Sequence, residues 1–276
     1  MTTPVTPTIP SFDHIFVVIM ENHSFSQIIG AADAPYINKL VATYGLAANY
    51  TAVAHPSLPN YLALTGGDTF GVTTDCTDCF QSAPNLASDL LTPAGKTWRA
   101  YMESMPSAAY VGDAYPYVQK HNPFVYYDDI RTSPAKFANV VPYTQLATDL
   151  AAAGTTPNFG WITPNMTDDM HDGTIAQGDT WLSTAVPALL GAPAFTTQRS
   201  LLFITWDEND DTTTAPGSAN QVATLVIANG VPKGFRSQVA YNHYSLLRTI
   251  ETAWNLTPLT ANDAAASPMS DFFPAG

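Results

Sequence analysis

Two acidic clusters stand out for the chemistry their spacing allows. Glu21-Asn22-His23-Ser24-Phe25 follows the apolar run His14–Met20, and Asp207-Glu208-Asn209-Asp210-Asp211 follows the apolar run Ser200–Trp206. In an open α/β sheet, ligands bind beyond the carboxyl ends of the strands. Two neighbouring strands would therefore bring Glu21, Asn22, Asp207 and Glu208 to one rim. Three carboxylates gathered there repel one another unless a cation neutralises them. Hard oxygen donors of this kind suit one divalent ion: Ca²⁺, Mg²⁺, Mn²⁺ or, less selectively, Zn²⁺. Helix caps and solvated loops would account for a single acidic cluster. They account less well for two, each placed directly after a buried strand.

A second constellation is His55-Pro56-Ser57-Leu58-Pro59-Asn60-Tyr61. Prolines bracket Ser57 in a tight turn, and an apolar helical pattern follows. The serine is thus expected at a helix N-terminus, where backbone N–H groups and the helix dipole favour an anion. Capping is the commoner role for such a serine. Beside a metal, however, its hydroxyl pKa falls and an alkoxide nucleophile becomes available. Asn60 and His55, in the same turn, are expected to contact substrate.

Six histidines complete the inventory. His171 lies in Asp168-Asp-Met-His-Asp-Gly173, His121 in Lys120-His-Asn-Pro-Phe124, and His243 in Tyr241-Asn-His-Tyr-Ser245. His23 adjoins the first ligand pair, and His14 opens a buried strand and reads as structural. A protonated histidine near a leaving group can act as general acid, which predicts an optimum below neutrality. Each histidine alone is more often structural; their concentration in loop motifs points toward function.

The elements that must position these residues are legible from periodicity. Short, non-alternating apolar runs at 14–20, 159–163, 200–206 and 223–228 fit central strands buried on both faces. Apolar spacings of three and four at 37–44, 58–64, 143–153, 180–190 and 244–254 fit helices, the last with Asn242 as N-cap. Alternation of the two predicts a doubly wound, mostly parallel α/β sheet flanked by helices, in one domain over 13–276 after an extended, Pro-rich lead-in over 1–12. Residues 66–135 are rich in Gly, Pro, Tyr and Asp and read as long loops over one edge of the sheet.

The bulk numbers bound the function. A chain of 276 residues, 46% hydrophobic, can bury one large core. Only 12% of residues are charged, about half the usual share. The net charge of −13, with 10 Lys and Arg, argues against a nucleic-acid partner, since phosphate-driven binding needs basic patches. An anionic substrate can still bind if a cation reverses the local field. No segment is long and apolar enough to span a membrane. Cys76 and Cys79 sit in a polar Thr/Asp loop. There a short-loop disulfide of an exported protein is favoured over half a metal site or a redox pair. The expected location is secreted or periplasmic.

The strings Glu-Asn-His-Ser-Phe at 21–25, Ser-Leu-Pro-Asn at 57–60, Lys-His-Asn-Pro-Phe at 120–124, Met-His-Asp-Gly at 170–173, Trp-Asp-Glu at 206–208 and Asn-His-Tyr-Ser-Leu-Leu-Arg at 242–248 keep one order along the chain. In that order they resemble the bacterial phosphoesterase family, which contains acid phosphatases and phosphatidylcholine-type phospholipases C within the alkaline-phosphatase-like superfamily. The resemblance implies one divalent metal held by Glu21, Asn22, Ser57, Asp207 and Glu208. It also implies a phosphoserine-type intermediate on Ser57, His121 and His171 lining the phosphate pocket, and His243 near it. The acidic pair is often Asp-Asp in the family, whereas the second member here is Glu208. The chain is short of the C-terminal β-domains that phospholipase members often carry, and no apolar or basic stretch suits lipid docking. A monoester phosphatase acting on a small phosphorylated substrate is therefore expected ahead of a phospholipase C acting at a phospholipid headgroup. A non-catalytic secreted cation-binding protein and a sulfatase or phosphomutase cousin are the remaining alternatives.

Overall fold

The computed structural model describes residues 8–210 and 220–274. Residues 1–7 of the expected lead-in and Asp211 of the second acidic cluster lie outside them. In chain order the strands are β1 (His14–Met20), β2 (Gly45–Ala47), β3 (Tyr50–Thr51), β4 (Trp98–Met102), β5 (Val140–Pro142), β6 (Phe159–Thr163), β7 (Ser200–Trp206), β8 (Thr224–Ala228), β9 (Arg236–Ser237) and β10 (Tyr241–Asn242). Eight of them form one sheet in the order β5-β4-β6-β1-β7-β8-β2-β9, and β10 pairs with β3 in a two-stranded sheet. Pairings from β5 through β7 are parallel, and β8 runs antiparallel to both its neighbours. This is the expected mostly parallel α/β sheet. Every residue of β1, β6 and β7 is buried, which is why these strands read as unbroken apolar runs.

The principal helices are α1 (Pro35–Thr43), α2 (Ser57–Gly66), α3 (Ile175–Leu190), α4 (His243–Ala253) and α5 (Ala261–Ala265). Helix α1 packs on α3, and α2 packs on α4. The buried Asp179 of α3 accepts N–H bonds from Tyr36 at 3.0 Å and Ile37 at 2.8 Å, so it caps α1 from outside. Asn242 caps α4 as expected, with its side chain accepting from the Ser245 N–H.

Three expectations are corrected. The segment 66–135 is not loop alone: it contributes β4, between β5 and β6 in the main sheet. Arg99, set against Asp149 at 3.4 Å, and the small Ala100 interrupt its apolar signal. The pattern at 143–153 resolves into a 3₁₀ turn, Tyr143–Gln145, and one helical turn, Leu146–Asp149. Helix α3 starts at Ile175 rather than near 180, because Thr174 and Gln177 form a capping box.

Where α4 meets α5, Glu251 and Asp263 are both fully buried. Burial, then the hydrogen bond and charge of Asp263, push the Glu251 carboxyl up to about 8 from an ordinary value of 4.5. The folded chain therefore holds a proton that the unfolded chain releases. This stabilising contribution is complete below about pH 4.5 and is lost as pH rises through about 8. Glu251→Gln, which mimics the protonated form, is expected to leave Tm unchanged at pH 4.5 and to raise it by about 5 °C at pH 8.5. An equal shift at both pH values would show that the carboxyl is not strained.

Candidate active site

Met20 of β1 pairs with Trp206 of β7, so the next residues, Glu21 and Asp207, leave the sheet side by side. The Asp207 N–H continues the ladder onto the Met20 carbonyl at 3.0 Å. Asn22 then turns the chain at φ 39°, a left-handed conformation that asparagine tolerates, and its N–H lies 3.3 Å from Asp207 Oδ1. The loop after β6 brings in Asp169, whose carbonyl accepts the Glu21 N–H at 2.8 Å. Met170 is buried at φ 84°, a left-handed conformation costly for a methionine. Gly178 of α3 makes room for it: a Cβ there would lie 2.4 Å from Met170 Cγ. That kink lets Asp169 and His171 face the same centre.

Ser57 is the first residue of α2, and Pro56 occupies the capping position. The Ser57 hydroxyl makes no cap. Its Oγ lies 3.1 Å from Glu21 Oε2, 3.3 Å from Glu208 Oε1 and 3.4 Å from Asn22 Oδ1. The Asn22 amide has two orientations. With nitrogen inward it donates to Glu21 Oε2 at 2.6 Å and Asp207 Oδ1 at 3.0 Å; with oxygen inward it completes an all-oxygen cage. Tyr61, four residues after Ser57 on the same helical face, donates its hydroxyl to Glu21 Oε1.

The electrostatics of this cage call for a cation. Burial, then Asp207 and Asp169, raise the Glu21 carboxyl well above the usual range. Burial raises Asp169 likewise, and it pushes Asp207 up to about 7 against the opposing N–H bonds of Asn22 and Glu208. Asp207 Oδ2 is buried and accepts no hydrogen bond. A divalent ion fits this set, because it supplies the charge that the surrounding protein lacks. Glu21, Asn22, Ser57, Asp207 and Glu208 are thus brought together, as their order along the chain led us to expect. A second grouping overlaps it: ligand atoms of Glu21, His121 and His171 lie within 4.8 Å of one another.

The histidines divide by burial. His121 stacks on Tyr61, with centroids 5.4 Å apart and planes 5° apart. Its Nε2 lies 3.3 Å from Glu21 Oε1 and its Nδ1 lies 3.2 Å from Asp169 Oδ2. Burial, then the charges of Lys120 and His171, hold it well below the usual histidine range. Burial disfavours its charged form, while both its ring nitrogens face carboxylates of the cage. His171 is partly exposed. Its Nδ1 lies 2.7 Å from Asp172 Oδ1, and its Nε2 lies 3.4 Å from Lys120 Nζ. His55, at the mouth of the site, pairs through Nδ1 with Glu208. His23 Nδ1 contacts the Glu21 carbonyl at 3.0 Å. His14 bridges Pro157 and Gln198, a structural part as expected.

Two expected site residues turn out to be braces. Asn60 is fully buried; its Oδ1 accepts from Val53 and Ala54, and its amide donates to Ala54 and Pro56. All its capacity goes into the turn before Ser57, which corrects its assignment to substrate. His243 is fully buried, with Nδ1 on the Tyr50 hydroxyl at 3.0 Å and Nε2 on the Asp207 carbonyl at 2.6 Å. Burial lowers it to about 4. It is neutral, and both its nitrogens are engaged in holding Asp207, so it is placed as support rather than as catalyst.

Four residues at the site escaped sequence reasoning: Tyr61, Asp75, Lys120 and Asp169. Tyr61 had a signal in its i+4 spacing from Ser57, and Lys120 in standing beside His121. Asp75 and Asp169 had none beyond their loop positions. Lys120 Nζ lies 2.9 Å from Asp75 Oδ2, and Asp75 Oδ1 accepts the Leu58 N–H at 3.0 Å. Cys76 and Cys79 form the favoured disulfide.

The chain is similar to known proteins over most of its length. The model of the Phosphoesterase family matches residues 31–257. A phosphatidylinositol-3-phosphatase of Mycobacterium tuberculosis is 37% identical over 267 residues, which is 96% of this chain and 84% of that protein. A phosphate-repressible acid phosphatase of Penicillium chrysogenum is 34% identical over 93% of this chain, which spans 62% of the fungal protein's length. Among solved structures, a protein of the alkaline phosphatase superfamily from Vibrio parahaemolyticus superposes with a TM-score of 0.65 at 11% identity, covering 94% of this chain and 73% of that one.

Proposed function

The chain belongs to the phosphoesterase family and is a phosphoric-ester hydrolase, and on that premise we propose that it cleaves phosphomonoesters through Ser57 with one divalent cation. The observation that carries this reading is the Ser57 Oγ, turned away from capping and into the cage of Glu21, Asn22 and Glu208. Those residues, with Asp207, would hold the cation. When bound, the ion would lower the hydroxyl pKa of Ser57 and neutralise phosphoryl charge. The Ser57 oxygen attacks phosphorus as the bond to the leaving oxygen breaks. His171, the partly exposed histidine, is positioned to pass that oxygen a proton. Water then cleaves the phosphoserine, which releases inorganic phosphate and restores the hydroxyl. Tyr61 and His121 orient Glu21.

Monoesters are favoured because the relatives carry the names of a phosphoinositide phosphatase and acid phosphatases. A small phosphorylated compound or a phosphorylated lipid headgroup fits this class. Among the described residues, no helix is long and apolar enough to cross a membrane. The Cys76–Cys79 disulfide supports a secreted or periplasmic location. The test is hydrolysis of p-nitrophenyl phosphate against bis-p-nitrophenyl phosphate. The monoester is expected to be turned over with kcat/KM at least about tenfold higher. A ratio near one or inverted would transfer the assignment to a diesterase of the phospholipase C kind.

A further inference from the structure

We propose that Lys120 is the side chain that binds the substrate's phosphoryl oxygens and that Asp75 is its positioning residue, an inference that rests on the phosphatase reading above. The need for such a group follows from α2. A helix N-terminus normally offers free N–H groups to an anion. Here Pro59 has none, and the Leu58 N–H is bound by Asp75 at 3.0 Å. Two of the donors that a helix start normally offers are thus withheld from an anion, in a centre already crowded with Glu21, Asp169, Asp207 and Glu208, and a cationic side chain is called for.

Lys120 is placed for that task. An ammonium has three donors. Contacts to Asp75 Oδ2 at 2.9 Å and His171 Nε2 at 3.4 Å account for two, leaving one for a phosphoryl oxygen. The Asp172 contact at Nδ1 holds the His171 ring beside the lysine. Lys120 is also near enough to Glu21 and Asp169 to oppose the rise of both carboxyls. Arg99, Arg131, Lys136 and Arg248 pair with carboxylates elsewhere in the fold.

Asp75 fixes the distance between this cation and the nucleophile. One of its oxygens holds the residue next to Ser57 and the other holds Lys120. The carboxylate is itself fastened. The Cys76–Cys79 disulfide closes the turn that follows it, and the Cys76 carbonyl accepts from the Tyr126 hydroxyl at 2.9 Å. The Thr77 carbonyl accepts from Gln119 Nε2 at 2.7 Å. The turn is thus tied to the segment on both sides of Lys120, as a group that must hold geometry requires.

The test uses the full chain loaded with whichever of Ca²⁺, Mg²⁺, Mn²⁺ or Zn²⁺ supports turnover. Inorganic phosphate binding is measured by calorimetry, and KM and kcat with p-nitrophenyl phosphate. Lys120→Gln is expected to raise the phosphate Kd and KM by about 30-fold, and Lys120→Arg to restore both to within about fivefold. Asp75→Asn should raise them by about tenfold, and the Asp75→Asn/Lys120→Gln double variant should be no worse than Lys120→Gln alone. Melting temperatures of Lys120→Arg and Asp75→Asn identify any loss that is merely structural. A phosphate Kd within about twofold of wild type in Lys120→Gln, or additive effects in the double variant, overturns the proposal while wild-type turnover leaves the phosphatase reading standing. A wild type that neither binds phosphate nor turns over ester sinks both.

Discussion

Ser57→Ala is expected to lower kcat by about 10⁴-fold or more while leaving the fold and its melting temperature nearly intact. Two roles compete for this serine, and they make opposite demands. As a cap it would contribute about 0.5–2 kcal/mol to stability and nothing to turnover. The structure removes the basis for that role: Pro56 occupies the capping position, and the Ser57 hydroxyl bonds to no N–H of its own helix. Ser57 has instead a single proton surrounded by three oxygens, those of Glu21, Glu208 and Asn22 with its oxygen inward. A hydroxyl in that position adds little to folding, since its acceptors belong to a set that repels itself. Replacement by alanine deletes the attacking atom and leaves the helix start to Pro56 and Leu58. Retention of more than about 10% of kcat would mean that another group attacks phosphorus. A fall in Tm of about 5 °C or more with turnover retained would restore the capping role.

The parts of the fold legible in the sequence were those where one physical demand dominated. Strands β1, β6 and β7 are buried on both faces, so nothing but apolar residues fits them, and their bounds agree with the runs at 14–20, 159–163 and 200–206. The acidic clusters were legible for the same reason: a sheet that places ligands at strand ends makes the residues after a buried run informative. The signal failed where packing served two masters. Strand β4 carries Arg99 because that side chain reaches Asp149, and the start of α3 carries Gly178 because Met170 occupies the space of a Cβ. Asn60 and His243 were drawn toward chemistry by residue type. Nothing in the sequence tells a hydrogen-bonding side chain spent on its own backbone from one aimed at a ligand. The same ambiguity hid Asp75, one of five acidic or cysteine residues in a polar loop at 68–79, whose role depends on which partner it meets across 45 residues.

Asp207→Asn is expected to abolish both turnover and metal-dependent stabilisation, and the second loss is the more informative. A cation bound to the folded chain alone stabilises it by about 2.7 kcal/mol at a concentration 100 times its Kd, so wild type should gain on the order of 5–10 °C in Tm when loaded. Asp207 is at the centre of that linkage. It is fully buried, its Oδ2 meets no donor, and its Oδ1 faces the Asn22 backbone N–H. Of the donors on Oδ1, the Asn22 N–H at 3.3 Å is present in either orientation of the Asn22 amide, and the Asp207 main chain is fixed from two sides, by the Met20 carbonyl on its N–H and by His243 on its carbonyl. Substitution by the isosteric amide keeps those main-chain bonds and removes one of the crowded carboxylates. Without metal, the variant should therefore melt at or above wild type, since breaking up a set of like charges relieves their repulsion. With metal, the order should reverse, because the ion loses a charged oxygen and the wild type does not. A variant that melts higher than wild type when stripped and lower when loaded, as read by thermal denaturation with and without chelator, separates a ligand from a structural carboxylate without recourse to activity. If Asp207→Asn takes the full metal-induced shift, the cation is held elsewhere, and the overlapping group of Glu21, His121 and His171 becomes its place.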